Sequence, residues 1–379
     1  GQALLEAARE SRSLPAHRRV DRLRACAGAD QVRAALEQDA LRQRARTRCP
    51  HAERLLFTRE ALEQATAWPV AAERATRWPA SRGVELVDLC AGIGLDALAA
   101  AAAGRPVTAV ERDSVRARLL RFNAQALGLA EAVRVIEGDA KDLGLTGALG
   151  YLDPDRRASG RRTRTPDTFE PARGRWDGLL EGFGAAMIKL PPTGREAAEG
   201  RAVEIVALEG RARECRLLWH GFEGAPLRRA LSLPSGRAVE GTGRPWPSPR
   251  SPREGDWLLD PDPSVTLAGL VGDLAEAWGL APVHPRIAWL VGDERPTEAP
   301  GRSIRVDALL RPRARELNAW LRDRRVGRLE IKTRGVAEDA AAWRARLRVP
   351  GGPASAVLGI TRGPDDRWIA LGSCPMTGE

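Results

Sequence analysis

A chain of 379 residues, 43% apolar and 29% charged, is long enough for two or three globular domains and has the apolar content to bury a sizeable core. No apolar run approaches the roughly 18 residues that a bilayer crossing requires. The five cysteines (Cys26, Cys49, Cys90, Cys215, Cys374) make no CxxC pair and the four histidines (His17, His51, His220, His284) have no ligand spacing, so membrane-spanning, disulfide-framework and metal-site classes are not expected. The net charge of +10 biases the surface toward polyanions, although a GC-rich genome would also favour arginine over lysine. The N-terminus shows neither an initiator Met nor the charged, apolar and small-residue succession of a secretory signal. The cytoplasm is the expected compartment.

Residues 1 to about 66 are predicted to be helical. Ala, Leu, Arg, Glu and Gln dominate, and Val32, Ala35, Leu36 and Ala40 fall near helical spacing. The Trp68-Pro69 and Trp78-Pro79 pairs interrupt that pattern and predict a connection. From residue 84 the pattern alternates: strand 84–89, helix 95–103, strand 107–110, helix 114–127, strand 133–136, then strands near 149–152, 185–188, 203–208 and 214–218. Repeated βαβ units of this kind build a parallel sheet with right-handed crossovers, an α/β Rossmann-like fold.

Gly and Pro are dense over 223–263, as in Gly241-Thr242-Gly243-Arg244-Pro245-Trp246-Pro247, and no period survives, which predicts a linker. A helix is expected over 264–278. The last segment reads as strand 304–309, helix 313–324, strand 328–332, helix 338–347 and strand 356–360, a small βαβαβ module. The expected domains are therefore 1–78 (helical), 79–300 (α/β with a Gly/Pro-rich extension) and 301–379.

The strongest local signal is Asp88-Leu89-Cys90-Ala91-Gly92-Ile93-Gly94, which follows a strand and opens a helix. Gly92 and Gly94 let a ligand approach the backbone, and the helix start offers unpaired N–H groups. Glu111 ends the second strand, where a carboxylate can accept hydrogen bonds from both hydroxyls of a ribose. The loop departs from GxGxxG, since Ala97 occupies the third glycine position. S-adenosylmethionine (SAM), which has no pyrophosphate to cradle, fits this better than a dinucleotide. Asp88 would face its charged methionine portion, and Asp139, in Gly138-Asp139-Ala140, would meet the adenine amino group.

Five stretches carry a resemblance: Leu56-Phe57-Thr58-Arg59-Glu60-Ala61-Leu62, the loop from Asp88 to Gly94, Leu152-Asp153-Pro154-Asp155-Arg156-Arg157, Lys189-Leu190-Pro191-Pro192, and Gly327-Arg328-Leu329-Glu330-Ile331-Lys332-Thr333-Arg334-Gly335-Val336. On these the chain resembles the bacterial class I SAM-dependent methyltransferases that carry a C-terminal THUMP-like domain. The resemblance implies a Rossmann-like SAM-binding domain, an RNA substrate and an RNA-binding terminal module. The candidate cofactor contacts are then Phe57, Thr58, Asp88, Cys90, Ala91, Gly92, Gly94, Glu111, Arg112, Asp139, Ala140 and Asp153. Asp155 stands where the family usually has a small residue and changes the charge of its loop.

Asp153-Pro154 ends the fourth strand, the position from which amino-methyltransferases orient an exocyclic NH2 toward the sulfonium methyl. Methyl transfer is a displacement on an activated donor, so positioning and charge placement do most of the catalysis. No aromatic follows Pro154 to stack on a flipped base. Asp153, Pro154 and Arg156 are the catalytic candidates. Arg156 and Arg157 suit phosphate, the run Arg161-Arg162-Thr163-Arg164 extends the basic character, and Lys189, ending the fifth strand, either lines the substrate mouth or anchors its loop.

Cys90 and Cys215 raise a covalent route, but neither has a nucleophile's context, and small buried apolar roles are the simpler expectation. The terminal module gathers Arg311, Arg313, Arg315, Arg322, Arg324, Arg325, Arg328, Lys332 and Arg334, with Lys332 and Arg334 the RNA-binding candidates. No metal is expected. The competing readings are a small-molecule or protein methyltransferase, and a non-catalytic RNA-binding protein that has kept the fold.

Overall fold

The N-terminal residues form α1 (Gln2–Glu10), α2 (Ala16–Arg24), α3 (Ala29–Ala45) and α4 (Arg59–Gln64), as their composition predicts. Ala8, Leu23, Val32 and Ala35 meet in one buried cluster. Asp39 of α3 ties these helices together, accepting hydrogen bonds from Arg12 (2.6 and 2.9 Å) and Arg19 (2.6 Å). The connection expected at Trp68-Pro69 is instead a helix, α5 (Trp68–Ala75). Pro69 sits in its first turn, where a missing N–H loses no intrahelical partner. The computed structural model describes residues 1–79, 83–156 and 165–374. It divides into two compact units, residues 1–197 with 216–225, and residues 198–215 with 226–379.

In the first unit the βα alternation gives β1 (Leu86–Asp88), α6 (Leu95–Ala102), β2 (Val107–Glu111), α7 (Ser114–Leu127), β3 (Val133–Glu137), β4 (Gly147–Leu152), α8 (Trp176–Leu180) and β5 (Phe183–Leu190). The strands run in the order β3-β2-β1-β4-β5, all parallel. β1 and β2 are buried throughout, as strands covered on both faces must be. Chain order reverses between β1 and β4, and at that point open α/β sheets bind ligands beyond their carboxyl ends.

After β6 (Val203–Leu208), β7 (Arg211–His220) leads from the second unit into the first. The expected linker over 223–263 contains three strands: β8 (Arg228–Leu233), β9 (Arg237–Gly241) and β10 (Trp257–Pro261). β6 and β8 are parallel, and β8 and β9 form an antiparallel hairpin. Its turn contains Gly236 at φ +73°. The glycines and prolines there punctuate short strands, and the Asp273 carboxylate pins the rest by accepting the N–H groups of Thr242, Gly243 and Arg244.

The single helix expected over 264–278 is two, α9 (Pro263–Ala268) and α10 (Val271–Ala277), separated by Gly269 in the left-handed region. Two strands follow that no period announced, β11 (Ala281–His284) and β12 (Ile287–Gly292). The strand expected at 304–309 is divided between two sheets: β13 (Gly301–Arg305) pairs with β10, and β14 (Ala308–Leu310) with a later strand.

The end of the chain supplies α11 (Ala314–Asp323), β15 (Val326–Thr333), α12 (Ala340–Arg346), β16 (Ala354–Arg362) and β17 (Trp368–Ser373). The order β14-β17-β16-β15 corrects the simple βαβαβ expectation, because β17 inserts antiparallel between β14 and β16. Leu317, Trp320, Leu321, Trp343, Leu358 and Ile360 form its core.

Candidate active site

The loop after β1 enters the left-handed region twice, at Gly92 (φ +58°) and Gly94 (φ +90°). At Gly94 there is also no room for a side chain, since a Cβ would lie 2.6 Å from Leu120 Cγ. Glu111, at the end of β2, secures this loop: Oε2 accepts the Gly92 N–H at 2.8 Å and Oε1 the Asp113 N–H at 2.9 Å. Each oxygen keeps a second lone pair for a ligand.

Beyond the ends of β1 to β5 lies a cleft of about 1210 Å³, its open mouth included. Its wall contains Cys90, Ala91, Gly92 and Gly94 from the loop, Glu111 and Arg112 after β2, Asp139 and Ala140 after β3, and Asp153, Pro154, Arg156 and Lys189 after β4 and in β5. Most of the expected cofactor and catalytic positions therefore converge. Three do not. Asp88 is only 1% exposed and stands behind the loop, its carboxylate accepting the Cys90 N–H at 3.3 Å. Phe57 is buried with Ile93 and Leu95 under the loop, and its backbone exchanges hydrogen bonds with Gln38. Thr58 caps α4 by accepting the Ala61 N–H. Arg157, with Arg161, Arg162 and Arg164, lies outside the described residues.

Burial pushes the Asp88 carboxyl up to about 7, helped by the nearby Asp153 charge and opposed by the Cys90 N–H, Arg74 and Lys189. The same desolvation, with the charges of Asp88, Asp153 and Glu111, drives the Cys90 thiol upward. Cys90 therefore offers no ready thiolate, and Cys215 is buried, so the covalent route has no support. Partial burial acts to raise Asp139, but hydrogen bonds from the Lys141 backbone and ammonium hold it below the usual carboxylate range.

Asp153 meets Lys189 in a close ion pair, and Lys189 Nζ also donates to Thr66 Oγ1 at 2.8 Å. Gln64, Thr66, Asp96, Lys141 and Glu170 also line the cleft without having been anticipated. Lys141 spans the mouth to Glu170 at 2.9 Å. The Asp139-Ala140-Lys141 sequence, an acid two residues before its own capping partner, was the one available hint. Thr66 and Asp96 had none, since what joins them is tertiary contact.

Lys332 and Arg334 belong to the second unit, where both pair with Asp260, at 2.7 and 2.9 Å. Among the described residues no group of three or more His, Cys, Asp or Glu is placed to hold a metal ion, and no helix is long and apolar enough to cross a membrane.

Over 345 residues the chain is 34% identical to an uncharacterised S-adenosylmethionine-dependent methyltransferase of Mycobacterium tuberculosis strain CDC 1551, spanning 86% of this chain and 92% of that protein. The counterpart in strain H37Rv matches equally. This chain belongs to the S-adenosylmethionine-dependent methyltransferases. Residues 301–373 match the THUMP domain-like family. The fold is shared with a crystal structure from Porphyromonas gingivalis W83 assigned as a methyltransferase, with a TM-score of 0.79 at 19% identity over 99% of this chain and 98% of that one.

The cofactor of this methyltransferase is S-adenosylmethionine, and the cleft suits it. A side chain at Gly92 would meet no protein atom within 4 Å, so the backbone there is open to close approach. Glu111, Asp139 and Asp153 line the cleft with carboxylate oxygens able to accept from hydroxyl and amino donors.

Proposed function

We propose that this methyltransferase modifies a base in RNA. The observation that carries the reading is that Asp153, at the end of β4, lines the same cleft as Glu111 and the Gly92 loop. A base whose N–H donates to Asp153 would then lie against the methyl group of a cofactor whose ribose is held by Glu111. Catalysis is by alignment, because the donor is already activated and needs only an in-line nucleophile.

RNA is favoured over a small metabolite by three features. Arg156 stands in the cleft wall beside Asp153, suited to a phosphate flanking the reacting base. The chain carries ten net positive charges, and its residues 301–373 match a THUMP-like domain. In this reading Asp153, Pro154 and Arg156 hold the reacting nucleotide, Arg157 and Lys189 support it, and residues 301–379, with Lys332 and Arg334, grip the RNA.

The test is mass spectrometry of nucleosides from cellular RNA with and without the gene, followed by rescue. Loss of one methylated nucleoside that the wild-type gene restores and Asp153→Ala does not is the expected result. An unchanged nucleoside profile would remove RNA as the substrate and leave a small molecule or a protein as the acceptor.

A further inference from the structure

Asp153 and Lys189 are 36 residues apart in sequence and meet at the ends of the neighbouring parallel strands β4 and β5. The orientation of Lys189 is set from beneath. The Thr66 hydroxyl donates to Asp96 Oδ2 at 2.8 Å, and Arg74 binds the other oxygen of Asp96. With its hydrogen committed to Asp96, Thr66 turns a lone pair to Lys189 Nζ. Two of the three ammonium hydrogens are thus directed at Thr66 and Asp153. The third, and Asp153 Oδ1, have no partner among the described residues. Both residues line the cleft, which therefore presents an anionic acceptor beside a cationic donor.

That pairing discriminates between nucleophiles. When an exocyclic amine attacks a methyl group, positive charge grows on its nitrogen, and a fixed ammonium alongside opposes it. When a ring N–H next to a carbonyl reacts, negative charge grows on the carbonyl oxygen as the proton leaves, and the same ammonium stabilises it. We infer that the methyl acceptor is a ring nitrogen of a lactam edge, guanine N1 beside O6 or uracil N3 beside O4, with its N–H on Asp153 Oδ1 and its carbonyl on Lys189 Nζ. This rests on the RNA-base reading above and replaces the exocyclic amine expected from the sequence.

The step balances. The ring proton passes to Asp153 Oδ1, and the nitrogen electron pair forms the bond to the methyl carbon. The carbon–sulfur pair remains on sulfur as a neutral thioether, and the protonated Asp153 returns its proton to water. Lys189 stays an ammonium throughout and acts as a positioning and charge-stabilising residue.

The test incubates the full-length protein with SAM deuterated in its methyl group and total RNA from a strain lacking the gene, then identifies the labelled nucleoside by mass spectrometry. Label on guanine N1 or uracil N3 is expected. Label on an exocyclic amine, a ring carbon or a ribose hydroxyl overturns the inference and leaves the RNA reading standing. Label absent from RNA overturns the RNA reading, and the inference falls with it.

A second measurement separates this role from a structural one. Lys189→Met should lower single-turnover methyl transfer about 100-fold near neutral pH, and the residual rate should rise about tenfold per pH unit toward pH 9 as the ring N–H ionises unaided. Lys189→Arg should recover part of the loss. A folded Lys189→Met protein with wild-type rate, or with a reduced rate that does not change with pH, overturns the assignment.

Discussion

The Glu111 carboxylate accepts the Gly92 N–H at 2.8 Å, so the acid that ends β2 holds the loop that follows β1. Glu111→Ala removes this bond, the one from Asp113, and the acceptor proposed for the ribose. Hydrogen bonds to a charged group contribute about 1.5–3 kcal/mol each, so SAM affinity measured by calorimetry should fall about 100-fold or more. A dissociation constant within about threefold of wild type would place the ribose elsewhere.

The two loop glycines should differ in cost. Gly94→Ala combines a left-handed φ of +90° with a Cβ 2.6 Å from Leu120 Cγ, whereas Gly92→Ala at φ +58° meets no atom within 4 Å. Backbone strain alone costs about 1–2 kcal/mol, and forcing Leu120 aside adds about 1–3 kcal/mol. Thermal unfolding should therefore show Gly94→Ala clearly less stable than Gly92→Ala. The reverse order would contradict the packing described for Leu120.

Asp88 makes stability depend on pH in a definite direction. Its folded-state value of about 7 lies above the ordinary 3.8, so the folded chain holds a proton that the unfolded chain has released between those values. Its contribution is therefore most favourable below about pH 4 and declines as pH rises toward 7. Asp88→Asn removes that decline. In urea unfolding of the cofactor-free protein, the variant should gain on wild type between pH 5 and pH 8, by at most about 3 kcal/mol at 1.4 kcal/mol per pKa unit. Parallel pH profiles would mean that Asp88 is ionised in the folded protein across this range.

Asp260 holds Lys332 and Arg334 and also accepts from the buried Trp289 Nε1 at 3.0 Å. Asp260→Ala should destabilise the protein by about 2–3 kcal/mol, less than a fully buried pair because the charged groups are partly exposed. Asp260→Asn keeps an acceptor for Trp289 and releases the two cations. If they contact RNA, filter binding should show tighter association and a salt slope steeper by about 1–2. Unchanged affinity and slope would assign Lys332 and Arg334 to structure alone.

The sequence made the first unit legible because its signals are local. The strands that became β1 to β5 are short apolar runs, α7 carries a side-chain cap from Asp113 and ends at Gly128, and Gly92, Gly94, Glu111 and Asp139 each lie at or just after a strand end. The region after residue 223 was misread for the same reason. β8, β9 and β10 are short and separated by glycine and proline, so what marks them as strands is their pairing partners, not any period of their own. That Phe57 packs under the loop and not in the cleft wall was not legible, because nothing in its sequence neighbourhood distinguishes a ring beneath a loop from one facing a ligand.

By itself, then, the order of residues determined the βα alternation, the glycine turn and the acids at the strand ends, since backbone freedom and apolar period are properties of neighbours in the chain. The tertiary structure alone decided that Asp88 withdraws behind its loop, that Asp260 holds Lys332 and Arg334, and that Lys189 sits on Asp153. Each depends on desolvation or charge pairing between segments brought together only when the sheets form, and neither quantity exists until the chain has folded.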